Sequence, residues 1–336
     1  MSHYSVLVAI PHAVMDANTD ETNGIDLESI LDRILAPYEE SPKDGAFMEF
    51  EDRTEDCREK YQEDTSDFAQ FPDGSIHSIY SGKFLSKFVV QDGKIYSKPE
   101  KFLDPPVETG ESKSIIYLPD QPVKEHCSFE EYCSDFCGYE QKNGRWGYRR
   151  NPNAKWDWWT IGGRWSGSML ARCDLECALY STQQPEDLQS LGEYRPVDGA
   201  YKKDIAFSKM IEQETRSAAD LFFKLEQAFA ENNTRDLGPM NVIKEDGIYN
   251  WGELAYKAGE SLDDYLQRKG LDTDSTGGFY PYAIVDKDGS WHGEGDMGWW
   301  GISTNEMPRN DWNAIVQKFI QSLEPEDYLV CIDCHI

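Results

Sequence analysis

The last residues of the chain carry side chains capable of acid–base chemistry. Residues 328–335 have the pattern of a β-strand, in which neighbouring side chains point to opposite faces. Asp333 and His335 would then share one face, about 7 Å apart, while Cys334 points to the other. With His292 as a third member, they can form a small polar site, or simply hydrogen bonds at the end of a sheet. The same alternation excludes a Cys334–His335 nucleophile–base pair, so we expect Cys334 to be a core thiol.

A basic, tryptophan-rich segment at residues 140–172 is the second candidate site. It holds seven Lys and Arg against two acidic residues, and five of the ten tryptophans. Aromatic rings that stack on a base, beside cations that hold a phosphate, are typical of nucleotide sites. The residues predicted to contact such a ligand are Arg150, Lys155, Trp156, Asp157, Trp158, Arg164 and Trp165. The alternative is that these tryptophans are core and that the basic groups pair with acidic residues elsewhere.

Soft metal ligands occur together at His126, Cys127, Cys133 and Cys137, but their spacing matches no standard zinc motif. The sequence also has no phosphate-binding glycine loop, dinucleotide fingerprint, HExxH motif or nucleophile elbow. The eight cysteines are irregularly spaced, which favours free thiols in a reducing compartment. We therefore expect neither a metal nor a cofactor, and the sequence favours a binding protein over an enzyme without deciding between them.

The charge of the chain is strongly negative, with 33 Lys and Arg against 62 Asp and Glu and a net charge of −29. Such a charge repels phosphates, which argues against generic DNA binding and favours basic partners. Residues 16–67 alone hold eighteen acidic and five basic residues. This region is either a solvated, partly disordered segment or a surface that binds a partner.

Hydrophobic periodicity predicts the main elements. An apolar run at residues 4–10 indicates a strand covered on both faces, and Asp26 can cap a helix that ends before Pro37. The further predictions are helices near 54–61, 204–231, 261–269 and 312–323, hairpins at 83–97 and 282–292, an edge strand at 115–118 and a strand at 328–335.

These elements predict an α+β fold, with a mixed or antiparallel sheet, helices on one face, and the N- and C-terminal strands in the same sheet. We expect three parts: residues 1–98, a proline-rich connector at 99–139, and residues 140–336, the last sharing a sheet with 1–36. No membrane span or signal peptide is evident in the sequence, so we expect a cytoplasmic protein.

Four segments resemble a family of phage and prophage proteins. They are NPNAKWDWWTIGGRWSG at 151–167, YSVLVAI followed by LAPYEE at 35–40, DMGWWG at 296–301, and LVCIDCHI at 329–336. Together they cover about a fifth of the chain. The resemblance implies a phage origin, and therefore the cytoplasm of an infected bacterium, but it assigns no residue a role.

Two functions from different classes remain open. The first is an acidic binding protein that inhibits a host defence complex, either by mimicking nucleic acid or by locking the complex through a basic or nucleic-acid-binding surface. The second is a nucleotide-binding protein or enzyme that sequesters or degrades a nucleotide defence signal at the basic, tryptophan-rich segment. Homo-oligomers, and a housekeeping or virion-associated role, also remain open.

Overall fold

A computed structural model describes residues 2–17, 19–20, 24–43, 45–99, 104–183, 191–271 and 279–336. The chain divides into two compact units, which we describe separately. The first unit comprises Met1–Glu40 and Asn153–Ile336, and the second comprises Ser41–Pro152.

These boundaries lie elsewhere than the predicted ones, which followed a change in composition at residues 99–139. The predicted connector contains the strand Ile116–Pro122, which pairs with Thr65–Gln70 inside the second unit. Residues 100–103 of that connector lie outside the described residues. A proline-rich composition cannot reveal this pairing, because it depends on residues about fifty positions away along the chain.

The first unit is built on an eight-stranded mixed sheet. In chain order its strands are β1 (His3–Ile10), β2 (Trp158–Ile161), β3 (Met169–Arg172), β4 (Leu179–Tyr180), β5 (Tyr194–Tyr201), β6 (Ala283–Val285), β7 (Trp291–Gly293) and β8 (Tyr328–His335). Six strands follow the order β3-β5-β8-β1-β6-β7, while β2 pairs with β8 and β4 with β5. Only the pairing of β1 with β6 is parallel within this sheet of described strands. The predicted α+β class with a mixed sheet is confirmed.

The two terminal strands are neighbours, as predicted. β1 and β8 pair antiparallel along eight residues, from His3 opposite His335 to Ile10 opposite Tyr328. The other edge of β8 pairs with β5 over its first half and with β2 over its second half. Every residue of β8 is therefore buried, including the charged and polar ones near its end.

Helices cover both faces of this sheet, so the prediction of helices on one face is wrong. The helix Leu27–Leu35 packs on one face and the helix Arg309–Ser322 on the other. The first face presents Val6, Val8, Val330 and Ile332, and the second presents Leu7, Ala9, Leu329 and Cys331. Both alternating sets of β1 and β8 are apolar, and each set needs a covering layer.

The four helices predicted for the first unit are present, whereas the short helix His12–Ala17 and the small strands outside the large sheet were not predicted. Its helices are His12–Ala17, Leu27–Leu35, Phe207–Ala230, Leu262–Arg268 and Arg309–Ser322. Asp26 caps the second of these by accepting the Ser29 N–H, as predicted. Outside the large sheet, the strands are Thr19–Asp20, Gly24–Ile25, Asn241–Lys244, Gly247–Asn250, Glu253–Lys257, Asp296–Met297 and Ser303–Thr304.

The second unit has smaller sheets and two small apolar clusters. Its strands are Glu49–Asp52, Thr65–Gln70, Ile76–Ser78, Phe88–Gln91, Lys94–Ser97, Ile116–Pro122, Glu140–Lys142 and Arg145–Arg150. Its helices are Thr54–Glu63, Gly82–Leu85, Gly110–Lys113 and Phe129–Glu131. The last of these continues into a π-helical turn, Tyr132–Phe136. The predicted helix near 54–61 and the Asp92-Gly93 hairpin are confirmed, although residues 82–85 form a helix and not part of the hairpin. Across the described ranges of both units, no helix is long and apolar enough to cross a membrane.

Candidate functional site

The register of strands β2, β8 and β1 brings polar side chains together in a patch at the end of the large sheet where β1 begins. Residues directly opposite each other in an antiparallel pair project to the same face. One row across three strands consists of Trp158, His335 and His3, and the next consists of Thr160, Asp333 and Ser5. Farther along β1 and β8 the same face is apolar, so the patch lies where the core ends. We call His3, Asp157, Trp158, Asp333 and His335 the histidine cluster.

His335 is held by a carboxylate although it is only 5% exposed. Its Nδ1 lies 2.6 Å from Asp157 Oδ1. A carboxylate can only accept, so the imidazole donates its Nδ1–H and the lone pair is on Nε2. Within the described part of the chain, Nε2 is buried and has no hydrogen-bond partner.

His3 is held in the same way by Asp333. Its Nδ1 lies 2.9 Å from Asp333 Oδ1, and the second oxygen of Asp333 accepts the backbone N–H of Arg164 at 3.0 Å. The carboxyl group is almost fully buried and has a partner on each oxygen. Two imidazoles on neighbouring strands therefore each have a carboxylate at Nδ1, which fixes the tautomer and orients the ring.

The three rings of the cluster are in contact. The centroids of His3 and His335 lie 5.0 Å apart in an edge-to-face arrangement. Trp158 stacks on His335 with its centroid 5.2 Å away, and its ring also meets the edge of His3 at 5.3 Å. Trp158 nevertheless remains 42% exposed, so part of the indole faces solvent.

Two glycines allow the backbone to approach the buried carboxylates. After β2 the chain turns through Gly162 and Gly163, both with positive φ. A Cβ on Gly163 would lie 2.5 Å from Asp333 Oδ2, and one on Gly162 would lie 2.6 Å from the carboxyl carbon of Asp198. Because neither glycine has a side chain, the backbone can come close to the carboxylates. The next residue, Arg164, can then donate its N–H to Asp333.

Three residues of the predicted ligand site take structural roles instead. Trp156 is 6% exposed and donates its Nε1–H to the carbonyl of Leu35. Trp165 is partly buried against the apolar core. Lys155 Nζ forms an ion pair with Asp296 at 3.2 Å. The core interpretation of the segment therefore applies to part of it.

Arg164 is different, because its side chain is exposed. Among the residues that the structure describes, its guanidinium has no hydrogen bond or ion pair, while its backbone is anchored to Asp333. This leaves a positive charge available next to the histidine cluster for an anionic group of a ligand.

Two other predicted residues are not members of the cluster. Arg150 is in the second unit, where its guanidinium pairs with Glu51. His292 is on β7, opposite Ile284 of β6. Ile284 is in turn opposite Leu7 of β1, and Leu7 is four residues along the strand from His3. Its Nε2 lies 2.9 Å from Asp286 Oδ2. The structure therefore does not bring His292 together with Asp333 and His335.

Sequence reasoning missed His3. The signal was present, because His3 immediately precedes the predicted strand 4–10, and antiparallel pairing with residues 328–335 brings it opposite His335. Only the register, however, decides that the two side chains share a face. Asp157 was predicted as a ligand contact, whereas its partner in the structure is His335.

The second unit contains a separate group of thiols, which we call the thiol cluster: Cys57, Cys133 and Cys137. Cys57 Sγ lies 2.9 Å from Cys133 Sγ and 3.6 Å from Cys137 Sγ. Desolvation by burial raises the pKa of Cys57 and of Cys137 to about 11. Cys57 was not among the soft ligands considered from sequence, since it is 76 residues away from Cys133. No group of three or more His, Cys, Asp and Glu in the described ranges is arranged to hold a metal ion.

Comparison with known proteins finds no match among protein-family models, curated proteins or solved structures. The chemistry of the histidine cluster therefore has to be inferred from its own geometry. Two adjacent imidazoles with carboxylates at Nδ1 can take up a proton at one ring and release one from the other in the same reaction.

Proposed function

We propose that the first unit binds a nucleotide at the histidine cluster and cleaves a phosphate ester bond in it. The observation that carries this proposal is the buried Nε2 of His335, which has no partner in the described part of the chain. Buried polar atoms almost always have a hydrogen-bond partner, and a bound ligand or water would supply it here.

The two histidines take complementary roles in this proposal. Neutral His335 accepts a proton at Nε2 from an attacking water, and the water oxygen forms a bond to phosphorus. Protonated His3 donates a proton to the oxygen that leaves as its bond to phosphorus breaks. Asp157 and Asp333 each accept the Nδ1–H of one ring and keep that ring oriented.

Arg164 and Trp158 supply binding. The guanidinium of Arg164, which has no partner among the described residues, matches the geometry of a phosphate and can form two parallel hydrogen bonds with it. The exposed part of Trp158 can stack on a base, because every base presents a π-face. Both residues belong to the basic segment in a chain that is otherwise strongly acidic, so a phosphate is attracted there and repelled elsewhere.

The proposal is tested by following cleavage of mono- and dinucleotides, linear and cyclic, with ³¹P NMR. We expect His335→Asn and His3→Asn to slow cleavage about 10²- to 10⁴-fold, the usual contribution of a positioned acid or base. His292→Asn is the matched control, because His292 also pairs with an aspartate but lies elsewhere on the sheet. Its rate should equal that of the wild type.

Asp157→Asn is a second test, which does not depend on whether the histidine variants fold. It keeps the shape of the side chain and removes the charge that orients His335, so cleavage should fall while the melting temperature stays close to that of the wild type. Arg164→Ala should weaken nucleotide binding in an equally stable protein. Cleavage that survives in His335→Asn, or a wild-type protein that neither binds nor cleaves any nucleotide, would refute the proposal.

A second candidate function is supported by the exposed carboxylates of the second unit. Glu55, Glu59 and Glu63 are exposed and lie four residues apart on the helix Thr54–Glu63, so they form one acidic row. Like charges at this spacing destabilise a helix, which favours a use for them. The proposed use is inhibition of a host defence complex through its basic or nucleic-acid-binding surface, in line with the resemblance to phage proteins.

This second candidate predicts a partner whose binding depends on salt. A complex captured from infected cells should weaken steeply above 0.1 M salt, where exposed charges are screened beyond about 10 Å. Reversal of the row, with Glu55→Lys, Glu59→Lys and Glu63→Lys together, should abolish capture. Retention of the partner by this variant at high salt would instead indicate an apolar interface elsewhere.

A further inference from the structure

A cavity of about 300 Å³ lies in the second unit, outside the histidine and thiol clusters. It is lined by residues of the strand Ile76–Ser78, of the turn that follows it, and of the segment 126–136. His126 and Cys127, which the sequence offered as soft metal ligands, both belong to this lining. The volume is at the lower end of the range for ligand pockets, so the cavity fits one side chain or a small molecule.

Aromatic rings form much of the lining. The ring centroid of the buried Phe68 lies 4.8 Å from that of His126 and 6.3 Å from that of Phe136. Tyr80 and Phe136 remain 66% and 36% exposed, so the cavity opens to solvent beside these two rings. The faces of such rings attract cations, and among protein side chains most often the guanidinium of arginine.

Two carboxylates also line the cavity. Glu131 and Asp135 are exposed and lie four residues apart. Glu131 Oε2 accepts the N–H of Ser128 at 2.8 Å in a capping box, and Asp135 Oδ1 accepts the hydroxyl of Ser134 at 2.8 Å. The second oxygen of each carboxylate has no hydrogen-bond partner in the described part of the chain. Residues 125–140 hold five acidic residues and no Lys or Arg, so this side of the cavity favours a positively charged ligand.

His126 has a buried polar atom without a partner. Its Nε2 is buried and forms no hydrogen bond with any residue that the structure describes. The other histidine of the lining, His77, is already paired, because its Nε2 lies 2.8 Å from Lys83 Nζ. Buried polar atoms almost always have a partner. A ligand in the cavity that donates hydrogen bonds would supply one to His126 and to both carboxylates.

We infer that this cavity binds the guanidinium group of an arginine side chain from a basic protein partner. A guanidinium is planar and carries five N–H donors and no acceptor. It can donate to Glu131, Asp135 and His126 at once while its face stacks on Phe136. The inference is independent of nucleotide cleavage. It rests on the second candidate function for the source of the arginine, and it adds an anchor point to the acidic row.

The test is an NMR titration of the full chain with acetyl-arginine-amide, followed at the ring protons of His126. We expect saturable shifts at millimolar concentrations, and much weaker binding of acetyl-citrulline-amide, which has the same shape without the charge. The paired substitution Glu131→Gln and Asp135→Asn should weaken binding about tenfold or more, because charge-assisted hydrogen bonds are lost. Glu130→Gln is the matched control and should bind like the wild type, since Glu130 is an exposed neighbour outside the cavity lining.

Each outcome decides the inference. Equal affinities in the paired variant and in Glu130→Gln would overturn it, and so would equal binding of the arginine and citrulline compounds. Tighter binding of free arginine than of the blocked form would overturn a protein partner as the source. Both substitutions of the paired variant conserve shape, and glutamine also completes a capping box, so its melting temperature should match that of the wild type. The charge-reversed acidic row should bind acetyl-arginine-amide normally, which separates a failure of the second candidate function from a failure of this inference.

Discussion

The histidine cluster of the first unit and the thiol cluster of the second place reactive groups in opposite environments. In the first, each imidazole has a carboxylate at Nδ1, and the carboxylate of Asp333 also accepts the backbone N–H of Arg164. In the second, Cys57 and Cys133 are buried in an apolar cluster, where their sulfur atoms lie 2.9 Å apart. Polar contacts hold the histidine cluster in place, whereas the thiol cluster is buried away from water.

This difference has chemical consequences. A carboxylate at Nδ1 fixes the tautomer and the orientation of an imidazole, so that its Nε2 is presented for proton transfer. Burial of a thiol instead disfavours the thiolate, which is the reactive form. The thiol cluster is therefore chemically quiet although its sulfur atoms are close together, and the histidine cluster is the better candidate for catalysis.

The largest expected effect comes from Gly163→Ala, which breaks the backbone approach to Asp333. The new Cβ would lie 2.5 Å from Asp333 Oδ2 at a residue with positive φ. We expect a loss of roughly 2–5 kcal/mol in unfolding free energy, from left-handed strain and steric displacement together. Urea unfolding measures it.

Gly259→Ala is the control for that substitution. It also has positive φ in the first unit, but a Cβ there meets nothing within 4 Å. It should cost only about 1–2 kcal/mol, the price of the left-handed backbone. Equal losses for both variants would show that the contact with Asp333 is unimportant.

An intermediate effect is expected for alkylation of the thiol cluster. With a pKa of about 11, Cys57 and Cys137 carry about 100-fold less thiolate at neutral pH than thiols of pKa 9. Iodoacetamide should therefore modify the exposed Cys173 and Cys177 first, as followed by peptide mass spectrometry.

Alkylation of the thiol cluster should also depend on pH. The folded state favours the protonated thiols, so their contribution to stability is complete below pH 9 and is lost as the pH rises toward 11. Alkylation of Cys57 and Cys137 should accelerate about tenfold per pH unit over this range. Rapid modification of Cys57 at pH 7 would contradict the assignment of the thiol cluster as unreactive.

The smallest effect is expected from Lys155→Ala, a substitution in the basic segment. Lys155 pairs with Asp296 at a partly exposed site, and such pairs contribute about 0.2–1 kcal/mol. Thermal unfolding at low and high salt measures this, and the difference from wild type should disappear at high salt. A loss above about 2 kcal/mol would show that the pair contributes more than an exposed ion pair does.

Several features were determined by the sequence alone, because they depend on neighbours along the chain. Alternation in residues 328–335 placed Asp333 with His335 and put Cys334 in the core on the other face. The apolar run at 4–10 indicated a strand covered on both faces, and Asp26 marked the start of a helix. These patterns follow from the geometry of strands and helices.

Other features were decided only by tertiary structure, because they join residues far apart in the chain. His3 meets Asp333 across 330 positions, Asp157 meets His335 across 178, and Cys57 meets Cys133 across 76. Such contacts depend on which strands pair and in which register, and a shift of one residue would move every side chain to the opposite face. The same dependence explains why Trp156 is core while Trp158, two residues away, is exposed beside two histidines.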